Sequence, residues 1–365
     1  MNRSIVVAAL AAGWVFGAGG PAAADTFGPW TPKTAPVAEY GSVYISFGAG
    51  AFVQQMPRVN FGNVYTVGGG TPFLTRVLVD DPDVVGGEGG GTVGVVLDTR
   101  RTPTWLGRKP RIEVSFSYGR GSASAAQSQF VPSASVLGGP FIDGGGNIAG
   151  FVTIGLPSTH RGTVDVALQE AAGAIRLKTD LRLTRTLTAT PAFGFVGGQS
   201  VFDFDYNAVN TGIGTLTIIR TTEEALKTRR LGGEAAIDLA WRAARRITVH
   251  GGASAAVFHK GTRLTGNDCL GSGTSITSCP GNLGTATRSD FDHRTGYRVG
   301  MNAGLTYDGG WFQLTVVGRA AWDSAVPGIR NPTAPSLATG SAPAEIVYES
   351  AWRFGGGLAV TIPLN

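Results

Sequence analysis

Two short stretches place titratable groups where they could act on a bound molecule. FDFDY sets Asp203 and Asp205 two residues apart, and SDFDHR brings Asp290, Asp292 and His293 together. A carboxylate beside an imidazole can activate a water, and paired carboxylates can divide acid and base work between them. Solvated loops carry the same residues without any such role. Gly89, Gly91 and Gly94 match G-x-G-x-x-G. That match opens a strand rather than a helix, so it lacks the helix N-terminus that a dinucleotide phosphate needs. The chain has no P-loop, no H-E-x-x-H and no G-x-S-x-G. Cys269 and Cys279 stand ten positions apart, and in an oxidising compartment they would form one disulfide. Between residues 262 and 289 there is no His, and Asp268 is the one carboxylate, so a metal site is not expected there. No enzyme, metal or cofactor is expected from these motifs.

The elements that position these residues begin with an export signal. Met1-Asn2-Arg3 is basic, Ile5 to Gly17 is apolar, and Ala22-Ala23-Ala24 offers a small-residue cleavage site. Residues 1–24 are therefore expected to be a cleaved signal peptide, 25–41 a Pro-rich periplasmic lead-in, and 42–365 one folded unit. Past residue 24 no apolar run is long enough for a spanning helix. Gly alone (56 residues) outnumbers all Lys, Arg, Asp and Glu together (30 and 25), and the mean hydropathy is slightly positive, too apolar for a disordered chain.

Period-two alternation runs through the rest. In LGGEAAIDLAW, Leu231, Ile237, Leu239 and Trp241 alternate with Glu234 and Asp238. RIEVSFSYG sets Ile112, Val114, Phe116 and Tyr118 against Arg111, Glu113, Ser115 and Ser117. Ten such segments are expected: 42–53, 91–99, 111–119, 163–181, 187–206, 231–241, 247–260, 297–307, 311–323 and 348–364. The fourth changes phase: Val164, Val166 and Leu168 are even, whereas Ile175, Leu177 and Leu181 are odd. A β-bulge near Glu170–Gly173 is the expected cause. Pro191 makes the ends of the fifth segment harder to place.

Long links alternate with tight turns such as Ala243–Arg246 and Asp308–Gly310, the exception on the short side being the longer link TRRTPTWLGRKP between the second and third segments. An even strand count with turns short on one side and long on the other is the pattern of an outer-membrane barrel. Trp105, Trp241 and Trp311 fall at the short-turn side, and Trp322 and Trp352 toward the other, as two interfacial belts would. The expected fold is thus all-β: a closed antiparallel transmembrane barrel of about ten strands, with eight or twelve as alternatives. Short periplasmic turns and long extracellular loops would join them.

In that barrel, Glu113, Arg176, Lys178, Asp180, Glu234, Asp238, Arg242, Arg298, Arg319 and Arg353 would line the lumen. Both signs are present, so they could pair across a narrow interior and constrict it, or line a water-filled passage whose Arg excess favours small anionic solutes.

Carboxylates and a His near a barrel rim resemble the omptin outer-membrane proteases, which use an Asp/His pair. Here His293 follows Asp292 directly, whereas the omptin pattern separates them by one residue. A broader resemblance lies in RRLGGEAAIDLAWRAARRITVHGGASAAVFHKG (229–261), in TVDVALQEAAGAIRLKTDLRL and in the final strands. In arrangement these are similar to the major-outer-membrane-protein-like and opacity-like barrels of Gram-negative bacteria. That resemblance implies a narrow, passive, porin-like pore or a structural surface protein. A surface adhesin working through its loops is the alternative, and an omptin-like rim protease the third reading. It also implies outer-membrane lipid and the barrel-assembly machinery as partners, and no nucleic acid. The family usually ends in an aromatic residue; this chain ends Pro363-Leu364-Asn365.

Overall fold

A computed structural model of the chain describes residues 43–57, 60–66, 73–78, 83–97, 108–131, 135–138, 141–142, 148–149, 152–154, 158–212, 217–272, 284–330 and 345–364. In chain order the strands are β1 (Val43–Gln54), β2 (Asn60–Thr66), β3 (Phe73–Leu78), β4 (Val84–Val96) and β5 (Arg108–Val131). Four short ones follow: β6 (Ser135–Gly138), β7 (Phe141–Ile142), β8 (Ile148–Ala149) and β9 (Val152–Ile154). The remainder are β10 (Ser158–Arg182), β11 (Leu187–Gly212), β12 (Thr217–Ala244), β13 (Ile247–Ser272), β14 (Gly284–Asp308), β15 (Gln313–Arg330) and β16 (Glu345–Leu364). Ten of these close into an antiparallel barrel in the order β1-β16-β15-β14-β13-β12-β11-β10-β5-β4. A four-stranded sheet, β3-β2-β6-β9, and the β7-β8 pair are built from the two links that flank β4 and β5.

The ten expected segments are the ten barrel strands. Pro191 lies within β11, opposite Ile237. The strands run much further than expected at the long-link end: β12 has 28 residues and β11 and β13 have 26 each. Much of the chain expected to be long loop is strand extension. At ~3.3 Å per residue and a tilt near 40°, β12 rises roughly 70 Å.

The outside of the lower part, toward the tight turns, is apolar. Leu231 is 67% exposed and Trp311 71%, and Ile175, Phe193, Ile237, Val257, Met301, Val316 and Leu358 also face outward. On β13 this stretch runs from Ile247 to Val257, roughly 27 Å of height at the same rise and tilt, close to the ~25 Å apolar band of an outer-membrane barrel. Trp241 and Trp311 mark its lower edge. Trp322 and Trp352, which are Cα partners, mark the upper one. Trp105 lies outside the described residues.

Above the band the strands turn inside out without changing register. On β10, Val164, Val166 and Leu168 are buried inside, and so are Glu170, Arg176 and Lys178 below them. Pairing to β5 and β11 is unbroken from Ser158 to Lys178. The expected bulge at Glu170–Gly173 is therefore absent. What changes there is the surroundings: the polar face points inward where the outside is apolar, and the apolar face points inward where the outside is polar. The register shift of β10 falls lower, between Lys178 and Asp180.

The upper wall is uneven. β1 and β4 end at Gln54 and Val84, while β5 and β10 through β14 continue. β14 pairs with β15 only from Arg298–Asp323 downward. Above that level β15 shifts register against β16 between Asp323 and Val326, and Ala325 through Ile329 are all buried. The upper ends of β15 and β16 thus fold over the inner face of the tall wall.

Candidate functional site

The interior of the barrel gathers most of the charge that the band excludes from its outer face. At the lower end, Glu113 is fully buried between β1 and β10. Its Oε1 accepts from the Tyr44 hydroxyl and from Arg111 Nε at 3.3 Å, and its Oε2 forms an ion pair with Lys178 Nζ at 2.7 Å. Arg111 also reaches Asp180 at 2.8 Å, and Thr190 donates to the same carboxylate at 2.9 Å. Gly94 makes room for this cluster: a Cβ there would lie 2.1 Å from the Tyr44 ring.

The next layer holds two further sets. Arg176 Nε donates to Glu234 at 2.7 Å. Arg353 bonds Glu170, reaches Gln54 at 2.8 Å and Glu88 at 3.3 Å, and its guanidinium lies 3.7 Å from the Phe52 ring centroid. Arg319 shares Glu88 at 3.6 Å. Burial of a charge is tolerated when it is paired and hydrogen-bonded in this way. A cavity of about 90 Å³ remains between these sets, lined by Arg176, Lys178, Glu234, Asp238, Arg298 and Arg319 with Phe258 on one wall. A second, of about 40 Å³, lies above it between Glu170, Arg230, Lys260, Asp323 and Arg353. Both are the size of a few waters or a small ion.

The inward turn of β15 is tied down by charge. Lys260 Nζ donates to both oxygens of Asp323, at 2.7 and 2.8 Å, and to the Ala325 carbonyl at 2.9 Å. Asp323 also accepts from Arg298 at 3.0 Å and from the Ala325 amide at 2.9 Å. Above this latch the bore is apolar apart from the buried carboxylate of Glu224. Leu168, Phe202, Leu226 and Leu264 are successive Cα partners across β10 to β13. They form one buried cluster with Phe52, Phe204, Tyr206, Val326, Ile329 and Ile346.

Nine of the ten expected lumen residues point into the barrel. The tenth, Arg242, is exposed at the turn between β12 and β13, where its amide bonds the Thr186 carbonyl. It has the inward parity of Glu234 and Asp238 but lies below the bore, at the mouth. Glu234 takes Arg176 from β10 as its partner. Tyr44, Glu88, Arg111, Glu170, Arg230, Lys260 and Asp323 are interior residues that the sequence reading passed over. Glu88 sits in GGEGGG, where alternation has almost no apolar residues to show it.

The rim carboxylates do not converge. Asp203 and Asp205 occupy outward positions of β11, three strands from β14. On β14, Asp292 has inward parity and His293 faces outward, stacked 5.1 Å from His259. Adjacent residues of a strand face opposite ways, so this pair cannot hold one water between them. Among the described residues, no three His, Cys, Asp or Glu side chains are placed to hold a metal. Cys279 lies outside the described residues, as do residues 1–41.

No protein-family model matches the chain, and no curated protein does. Solved structures of similar outline include the outer-membrane protease OmpT from Escherichia coli, at 10% identity and TM-score 0.45, covering 91% of this chain and 100% of that one. An outer-membrane channel from Pseudomonas putida F1 is 9% identical with TM-score 0.30, covering 92% and 99%. A Pseudomonas aeruginosa FadL homologue is 8% identical with TM-score 0.25, covering 88% and 90%.

Proposed function

We propose that this chain is a bacterial outer-membrane barrel with a closed bore, acting as a structural surface protein through its tall outer half. The filled interior carries this reading. Arg111, Glu113 and Lys178 are each no more than 2% exposed at the lower end, and the apolar cluster around Phe202 and Leu226 seals the upper end. The exterior band supports the membrane location, because an apolar belt on the outside and charge within is the reverse of a soluble barrel. Closure removes every strand edge from the hydrocarbon, as spanning strands require. The tight turns would face the periplasm and the long strand extensions the outside. The surface adhesin remains within this reading, since the outer half is what a partner would meet.

The two polar cavities favour a second reading, a narrow passive pore for small anions, in which four cations, Arg176, Lys178, Arg298 and Arg319, outweigh Glu234 and Asp238. Conduction would require the segment Ala325–Ile329 and the cluster around it to move aside. The two readings separate in a planar bilayer. Purified wild-type protein that inserts and gives no conductance steps supports the closed surface barrel. Ohmic steps from most insertions would replace it with the pore. A mature chain that stays soluble without detergent would sink both.

A further inference from the structure

Just above the exterior apolar band, one sector of the wall carries an unbalanced set of cations. Lys227 and Arg229 on β12, and His259 and Arg263 on β13, are exposed at outward positions, with His293 beside them on β14. The register sets their spacing. Lys227 is the direct Cα partner of Arg263, and Arg229 lies opposite Gly261. Gly261 in turn faces His293. Side chains directly opposite each other have Cβ atoms about 5 Å apart, and diagonal ones about 7–8 Å, and like charges so placed repel. Among the described residues neither Lys227 nor Arg263 has an ion-pair partner, and Arg229 is held by the Gln199 carboxamide at 3.2 Å. Of the outward carboxylates of this sector, Asp203 is one diagonal step above Lys227, and Asp205 and Glu223 lie a further step away from the band. Elsewhere at this level the outward positions are Gln169 on β10, Gly87 on β4 and a single cation, Arg120, on β5.

Directly beneath the cations the surface is apolar: Leu231, Val257 and Tyr297 are 67%, 58% and 53% exposed. Phe291, the Cα partner of Arg263, adds an exposed ring within the cluster. A soluble anion would use the cations and leave the apolar floor bare. A lipid with a phosphorylated headgroup would use both. We propose that Lys227, Arg229 and Arg263 form a binding site for the phosphate groups of an anionic lipid of the outer leaflet, whose acyl chains lie along Leu231, Val257 and Tyr297. The headgroup anion would relieve the Lys227–Arg263 repulsion that the bare fold carries. This rests on the membrane reading above.

The test uses the full mature chain in zwitterionic detergent, with bis-phosphorylated lipid A, the same lipid stripped of its phosphates, and inorganic phosphate as probes. Lipid retained is counted by native mass spectrometry, and Tm is followed by heat-modified gel mobility. The wild type should retain the phosphorylated lipid and gain Tm from it. The double variant Lys227→Gln, Arg263→Gln should bind it about thirtyfold more weakly, as expected for two cations lost from an anionic surface. In lipid-free detergent that variant should melt no lower than the wild type, because a repulsion has been removed. Arg120→Gln should leave retention unchanged. Equal retention by the double variant, equal loss in Arg120→Gln, or equal binding of the stripped lipid would overturn the site. Competition by millimolar inorganic phosphate as strong as by lipid would reduce it to an anion site and overturn it too. A wild type that fails to enter vesicles would instead remove the membrane reading beneath it.

Discussion

Replacing Asp323 by Asn should damage the fold more than replacing Lys260 by Met, although the two residues form one ion pair. Lys260 is buried, and its three donors go to both Asp323 oxygens and the Ala325 carbonyl. Asp323 stands between Lys260 and Arg298, which reaches it at 3.0 Å from the next strand. Lys260→Met leaves the carboxylate paired with Arg298 and bonded by the Ala325 amide. The loss is then that of one buried carbonyl without its donor and a weakened pair, about 1–3 kcal/mol. Asp323→Asn leaves two cations facing one another in the bore with no carboxylate between them. Removal of one partner from a buried pair costs about 3–5 kcal/mol, and the Lys260–Arg298 repulsion places Asp323→Asn at the upper end. Urea unfolding in detergent micelles, read by tryptophan fluorescence, would rank the variants. Limited proteolysis would ask whether the inner segment stays in place, because Lys260 holds the Ala325 carbonyl. Lys260→Met should be cut there faster than the wild type, while the charged layer around Glu113 keeps the bore beneath it closed to ions. An Asp323→Asn protein as stable as the wild type, or less damaged than Lys260→Met, would refute the idea that charge ties the β15 turn into the barrel.

Further outcomes follow from single contacts. Gly94→Val should cost about 1–3 kcal/mol in the same unfolding assay, since the new side chain must displace the buried Tyr44 ring. Asp203, on the outer half, has its carboxyl raised by partial burial and by Asp205 beside it. A raised folded-state carboxyl binds its proton more tightly than the unfolded chain does. Stability should therefore fall as pH rises through its titration, and Asp203→Asn should flatten that fall; a variant with the wild-type pH profile would show the carboxyl is uncoupled. Leu239→Arg, in the exterior band, should cost about 2–4 kcal/mol in lipid vesicles. Its effect in a soluble barrel with the same outward position would be near zero. The exported protein should carry a Cys269–Cys279 bridge, and non-reducing mass analysis that finds two free thiols would count against it.

The ten strands were legible because period-two alternation survives wherever one face is apolar, as in RIEVSFSYG and LGGEAAIDLAW. Facing was legible only in part. Parity alone sends every apolar position to the lipid, so the change from Val164, Val166 and Leu168 to Ile175 and Leu177 has the pattern of an inserted residue. The backbone inserts nothing there; the neighbours change. The clue was local and available: the segment offers no Pro at the switch, and polar Glu170 already keeps the parity of Leu168. Glu88 was hidden among glycines, and Arg242 was assigned inward because parity tells which way a residue points and not how deep along the bore it lies. Lys260 and Asp323 alternate correctly but draw their meaning from the inward turn of β15, which is a tertiary event with no local pattern.

One wall made of unbroken strands with opposite facing above and below a single level has a consequence for how the barrel can open. Below the Leu168–Phe202–Leu226–Leu264 row the interior is held by ion pairs between wall strands, so side chains fill the bore without any part of the chain leaving the wall. Above it, the upper ends of β15 and β16 have left the wall to cover an apolar inner face, and β14 has no β15 partner past Arg298. Moving charged side chains in the lower half means breaking buried pairs such as Glu113–Lys178 one at a time. Withdrawing the folded-in segment exposes Val326, Ile329 and Ile346 together and costs their burial, roughly 1.5–3 kcal/mol for each large side chain. That second cost is recovered when an apolar surface takes the segment's place. An apolar ligand entering from the outer side could therefore displace the cap, whereas an ion could not, and the charged layer beneath would still stand between it and the periplasm.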